Sequence, residues 1–435
     1  MASRKFSRDR RQLIAGLGAA ALAPALPAVP ALARQSRALQ AKAGTVAVRP
    51  GGPETPVWSL GGPDFRSRRG DIEEIVFGND LPVPVVLNWR GIEGVPAAEP
   101  LASLAPLLPG KSQNLAIPFR QAGTFLCDLR LLGDGQARPS RPLAWIAQEK
   151  QPVMVDRDEV LLIEDWRLRS DGTAIAPGLD PKDTTPAYTI NGCTSPDFTF
   201  RRNERLRLRF INGCQRTVIA IKLEGIDVRI MAIDSQPAEP FQARNGALVL
   251  APGGRVDAFI DAAAPPGTTS SILLHDGKDA RPIGRLDISN EPPIRPAPLA
   301  PAPPLPSNGL PAQLDLKNAL RFDIVLGGPQ AHWVAPAKFA ASAPPAFAAK
   351  AGRTVVLALT NRAEITTVFH LHGHHFRLLD RLDDGWKPFW LDTLAVEPGQ
   401  TQRIAWSAEY AGRWLIEQVA IDWAAPRLVR WYAIV

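Results

Sequence analysis

His370-Leu371-His372-Gly373-His374-His375-Phe376 is the stretch on which the reading of this chain turns. Successive side chains of a strand point to opposite faces, so His370 and His372 share one face of a strand. Downstream come Trp390-Leu391-Asp392-Thr393, then Gly412-Arg413-Trp414-Leu415-Ile416, then Glu417-Gln418-Val419. Six tryptophans, at 386, 390, 406, 414, 423 and 431, crowd the same region, which reads as core or interface packing, with a partly exposed subset open as a protein-binding patch.

Outward from that stretch the chain reads as all-β. Arg205-Leu-Arg-Leu-Arg-Phe alternates strictly, which predicts a half-buried strand with three arginines on a solvated face. Ile72-Glu-Glu-Ile-Val-Phe, Pro84-Val-Val-Leu-Asn-Trp and Ala187-Tyr-Thr-Ile-Asn-Gly are short runs of the same kind, separated by Pro/Gly turns. The chain carries 43 prolines, a number that suits many turns and linkers and few helices. The predicted units are a domain over 44–150, a second over 153–290, a Pro/Ala-rich extended linker over 291–311 and a third domain over 312–435. Strands at this spacing favour Greek-key sandwiches.

The N-terminus reads as an address. Arg10-Arg11-Gln12-Leu13-Ile14 is a twin-arginine pattern, an apolar run follows to Leu26, and Ala31-Leu32-Ala33 offers a cleavage site. Residues 1–33 are therefore expected to be a signal peptide for the twin-arginine route to the periplasm, leaving no transmembrane anchor after cleavage. Prolines at 24, 27 and 30 make a retained membrane span the weaker alternative. Five basic residues and one acid in 1–33 account for +4 of the +7 net charge, leaving +3, too little to argue for nucleic acid. Cys193 and Cys214 both follow Asn-Gly, and a disulfide between them and free buried thiols both stay open.

The order of these segments resembles the three-domain multicopper oxidases. Leu87-Asn88-Trp89-Arg90-Gly91-Ile92 stands in the place of that family's HWHGI, and Gly123-Thr-Phe-Leu-Cys-Asp-Leu-Arg130 in that of its GTYWYHSH. Thr189-Ile-Asn-Gly, Leu206-Arg-Leu-Arg-Phe-Ile-Asn-Gly and Ala251-Pro-Gly-Gly-Arg-Val-Asp-Ala-Phe-Ile-Asp look like its middle domain, and His370–His374 like its HLHGH. The resemblance implies three cupredoxin-like Greek-key β-sandwiches.

Carried over residue by residue, most copper positions fail. The first trinuclear pair becomes Asn88 and Arg90, the second Asp128 and Arg130, and the fourth Glu417 and Val419; His370 and His372 keep the third. At the blue-copper site Thr367, Gln418, Trp423 and Leu428 replace histidine, cysteine, histidine and methionine. A blue-copper centre needs a thiolate, which Gln418 cannot supply, so laccase-like oxygen reduction is not expected. The expectation is an inter-domain ion-pair cluster of Arg90, Asp128, Arg130 and Glu417 beside His370 and His372. The rival is a mononuclear metal site on His370 and His372, completed by Glu417 or Asp128, with His374 as a further imidazole. The bland alternative makes the histidines remnants hydrogen-bonded in the interface. No cofactor is expected, with copper left open. The function implied is a non-catalytic scaffold binding periplasmic or envelope proteins, of the SufI-like branch; a copper-binding oxidoreductase with a reduced site is the alternative. No GxSxG, Walker, GxGxxG or HExxH motif points to other chemistry.

Overall fold

The computed structural model describes residues 34–61, 65–328, 332–380, 385 and 387–435. The leader read in 1–33, the Asp383-Asp384 turn and Trp386 lie outside them.

Alternating strands build three two-sheet sandwiches. In the first, one sheet runs Thr55–Gly61, Arg34–Val46, Ile72–Asn79, Ser112–Pro118, and the other Arg66–Arg68, Leu143–Gln148, Gly123–Asp128, Asn88–Arg90. The middle sandwich has six strands on one side, with Arg205–Asn212 and Arg255–Asp261 at its centre, and five on the other. The last has four strands against five, the five-stranded sheet placing Thr367–Leu371 between Gly412–Ala420 and Thr393–Val396. In each sandwich the first strand runs parallel to a later one, Arg34–Val46 with Ile72–Asn79, Arg157–Leu168 with Arg205–Asn212, and Leu320–Leu326 with Thr354–Asn361. Parallel neighbours need a crossover in place of a hairpin, and this gives the Greek-key wiring. The expected fold class holds: all-β, three cupredoxin-like sandwiches, each with its own apolar core.

The sequence pattern and the packing differ in four places. The first strand starts at Arg34, ahead of Gly44; among its residues from Ser36 onward only Leu39, Ala41 and Val46 turn into the core, so its alternation is faint. The arginines of Arg205–Asn212 do not face solvent. Leu206, Leu208 and Phe210 fill the middle core, each contributing about 1.5–3 kcal/mol, while Arg205, Arg207 and Arg209 are buried on the opposite face. That face is covered by the first sandwich and by the Pro/Ala segment, which periodicity within one strand cannot reveal.

The segment 291–311 is extended and forms no strand, but it is strapped to the middle sandwich. Its carbonyls accept from Arg201, Asn203 and Arg205, and Ala302 and Leu305 bury against Met231 and Phe259. Finally, Cys193 and Cys214 are free, as is Cys127. Cys193 closes a tight, exposed turn with Ile190, while Cys214 is buried in the core, so the disulfide does not form. Trp390, Trp406, Trp414, Trp423 and Trp431 are all buried, and none contributes to an exposed patch.

Candidate functional site

Strand register assembles the site. His370 lies opposite Glu417 on the neighbouring strand of the last domain, and Asn88 opposite Asp128 in the first. Asn88 and Arg90, two residues apart, share a face. Gly373 then turns the chain at φ +73, where a Cβ would come within 2.2 Å of Trp414, so only glycine fits.

Glu417 is the centre of the arrangement. It accepts from Arg90 Nη2 at 3.1 Å and Asn88 Nδ2 at 3.2 Å, both from the first domain. Within its own domain it meets Arg427 Nη1 and, at 2.7 Å, His372 Nε2. Burial would raise its pKa, but Arg90, Arg427 and His372 outweigh that and hold the carboxylate well below its usual range. His372 is clamped from both sides, with Glu99 of the first domain 2.9 Å from Nδ1. Burial opposes its charge, yet Glu99 and Glu417 together raise it to about 9.

His370 is its opposite. Its Nδ1 lies 2.9 Å from the Asp392 carbonyl, which can only accept, so Nδ1 carries the proton. Its Nε2 is buried with no partner. Burial, then Arg90, hold its pKa well below that of a free imidazole.

The expected cluster is thus brought together, all six side chains buried, but its bonds divide. Of these six side chains, only Arg90 and Glu417 bond to each other between the first and last domains. Arg130 pairs with Asp128 at 3.1 Å inside the first domain and donates to the Gly213 carbonyl of the middle one at 2.7 Å. His374 does not join His370 and His372. The Gly373 turn sends it into the aromatic core, where Nδ1 meets the Tyr432 hydroxyl at 2.8 Å and burial lowers its pKa to about 4.

Sequence reasoning missed the other half of the network. Arg427 and Glu99 complete the coordination of Glu417 and His372. His375 pairs with Glu93 of the first domain through Nδ1 and meets the Asp234 carbonyl of the middle domain at 2.6 Å through Nε2. Arg255 touches all three domains: it forms a two-pronged pair with Asp392 at 2.6 and 3.1 Å and donates to the Thr124 carbonyl at 3.1 Å. One signal was available, since Arg255 and Asp257 lie two apart in a strand paired with Arg205–Asn212, and so share its arginine-bearing face.

Among the described residues no group of three or more His, Cys, Asp or Glu side chains is arranged to hold a metal ion. At the positions read as blue-copper ligands, Gln418 accepts from the Gly327 amide at 2.9 Å and Trp423 Nε1 donates to the Ala176 carbonyl at 3.1 Å.

Two family models, both described as multicopper oxidase, match residues 157–269 and 313–423. Laccase-6 of Oryza sativa subsp. japonica is 28% identical over 233 residues, which span 47% of this chain but only 39% of that protein. Multicopper oxidase MmcO of Mycobacterium tuberculosis is 23% identical over 419 residues, covering 84% of this chain and 81% of its own length. The crystal structure of a multi-copper oxidase from Pseudomonas thermotolerans superposes with a TM-score of 0.80 at 23% identity, over 93% of this chain and all of the other. That likeness is one of fold.

Proposed function

The chain belongs to the multicopper oxidase family, and within it we propose a non-catalytic member: an exported protein of the periplasm whose own charges replace copper as the fastener between domains. The role would be SufI-like, a rigid envelope scaffold that binds other periplasmic or envelope proteins, delivered by the twin-arginine leader read in 1–33.

One observation carries the reading. His372, one of the two histidines kept at the copper-ligand positions, holds both ring nitrogens against carboxylates, Glu99 and Glu417. An imidazole held at a pKa of about 9 is a cation at neutral pH and has no lone pair to give a metal. Arg90 and Arg427 add two more fixed cations on Glu417, a poor setting for a cupric or cuprous ion. Gln418, at the position read as the copper thiolate, has no donor of the softness that a blue-copper site requires. The donor set does not fit copper.

The test is the metal content of mature protein purified after copper loading, read beside its visible spectrum and its unfolding midpoint with and without chelator. The expected result is no stoichiometric metal and an unchanged midpoint. Stoichiometric copper that is lost on replacing His370 and His372 would reverse the conclusion.

A second reading has its own support. His370 presents a buried, unprotonated and unpartnered Nε2, the state in which a histidine binds metal. A copper-binding oxidoreductase with a reduced site on His370 and His372 would require His372 to give up its proton and leave one carboxylate. The same loading experiment, repeated with Glu99→Gln, separates the two: copper uptake gained by that substitution would show His372 freed to act as a ligand.

A further inference from the structure

The middle sandwich contains a cavity of about 340 Å³, lined in part by Pro298 and Ala302 of the Pro/Ala strap and by none of the residues of the inter-domain network. Phe200, Leu206, Ile260 and Leu286 line it from the core side of the sheet, and Phe259 and Ala302 from the strap-covered side. The volume lies within the range of small-molecule sites, which are characteristically apolar with a few placed polar groups.

The polar groups here are unequal. Arg205 and Asp261 at the rim satisfy each other at 2.7 and 3.0 Å, and Arg205 donates further to strap carbonyls. Asp227 is exposed, so solvent and salt screen its charge. Arg229 is half-buried and makes no hydrogen bond or ion pair among the described residues. Register places it directly beside Phe259, on the same face of the sheet. An arginine without a partner, among the residues lining an apolar hollow, is the arrangement that holds an anionic head while burying an apolar body.

We infer that this cavity is a ligand site for a small amphiphile with a carboxylate head and an aromatic or aliphatic body. The guanidinium of Arg229 takes the head. The wall around Phe259 takes the body, and the strap forms one side of the site. Nothing in this assignment depends on the state of the inter-domain network or on metal.

The test titrates the full mature chain with 3-phenylpropionate and, separately, its neutral analogue 3-phenylpropanamide, by calorimetry and ligand-observed NMR. Saturable binding of the carboxylate is expected, with the amide at least about tenfold weaker, equivalent to about 1.4 kcal/mol. Arg229→Gln should erase the preference, and Ala264→Phe, which fills the cavity, should abolish binding of both, each with an unchanged thermal melt. Equal binding of the two probes to the unmodified protein overturns the proposal. So does absence of saturable binding at millimolar concentration, a preference that survives Arg229→Gln, or binding that survives Ala264→Phe. The paired probes keep the test decisive if a variant folds poorly.

Discussion

Two seams hold the first domain in place, and they are built from the same side chains with different completeness. Against the middle domain, Arg207 gives both terminal nitrogens and Nε to carboxylates, Glu149 across the seam and Asp257 on the adjacent strand. Arg209 gives its Nε and Nη2 to Asp158 and its Nη1 to Thr124 and Asp257. Neither arginine has an unpartnered nitrogen. Against the last domain, Arg90 leaves Nε and Nη1 without partners, Arg427 its Nε, Asn88 its carbonyl oxygen and His370 its Nε2. Buried polar groups are ordinarily satisfied, and each orphan costs about 1–3 kcal/mol. The first seam is satisfied at Arg207 and Arg209 and leaves one orphan, Arg130 Nε; the second stands where the family resemblance places a trinuclear metal site, and its ion pairs leave several of the groups present unused.

The sharpest way to break that comparison is to cut the first seam. Asp257→Asn takes away the carboxylate shared by Arg207, Arg209 and the Thr124 hydroxyl, leaving two buried guanidinium groups short of charge. The expected cost is about 3–5 kcal/mol, the range for removing one partner of a buried pair. The midpoint of urea unfolding measures it. A loss below about 1 kcal/mol would mean that the seam's completeness carries little energy.

The second seam should respond to pH, and the sign follows from His372. Its folded pKa of about 9 stands above the roughly 6.5 of a free imidazole. The stabilisation is therefore fully present below about pH 6.5 and is lost as pH rises through about 9, for a total on the order of 3 kcal/mol. Stability measured across that window should fall in the native protein, and His372→Gln should flatten the fall. Equal slopes in the two proteins would remove His372 as the source.

Glu417→Gln should cost less than the Asp257 substitution, about 2 kcal/mol, although Glu417 meets four groups. Two reasons favour the smaller value. His372 can shed its proton once one flanking carboxylate is neutral, and Arg90 and Arg427 already sit partly unpartnered. The comparison of unfolding midpoints between these two variants is the direct measure of the difference between the seams. A larger loss at Glu417 would show the second seam to be the stronger one.

The fold was readable because apolar alternation is a property of single strands. Leu206, Leu208 and Phe210 announce a buried face, and His370 with His372 announces a shared one. What lies beyond the other face is a property of another domain, and so Arg205, Arg207 and Arg209 looked solvated when they are buried. The same holds for the site. Arg90, Asp128, Arg130 and Glu417 were found because the family resemblance supplied their neighbours in space. Glu99, Arg427 and Arg255 occupy positions with no metal-ligand counterpart to flag them, although Arg255 shares its strand face with Asp257. His374, offered as a further imidazole, lies apart from His370 and His372 because the left-handed turn at Gly373 ends the strand.

His374 therefore provides the smallest effect and the cleanest control. It sits four residues from His370, yet its partners are Tyr432, which it meets through Nδ1, and the Tyr410 amide, 3.4 Å from Nε2. The Tyr432 hydroxyl donates to the His372 carbonyl at 2.6 Å, so it needs no acceptor from His374. With its pKa lowered to about 4, His374 is neutral throughout the physiological range and adds nothing to either seam's charge. His374→Phe keeps a ring among Tyr410, Trp414 and Tyr432 and gives up one neutral hydrogen bond, worth about 1 kcal/mol. The part of the pH profile between 6.5 and 9 that belongs to His372 should be unchanged, because Glu99 and Glu417, which raise its pKa, do not bond His374. A variant that loses that profile along with its hydrogen bond would tie His374 to His372 and merge the aromatic core with the seam it borders.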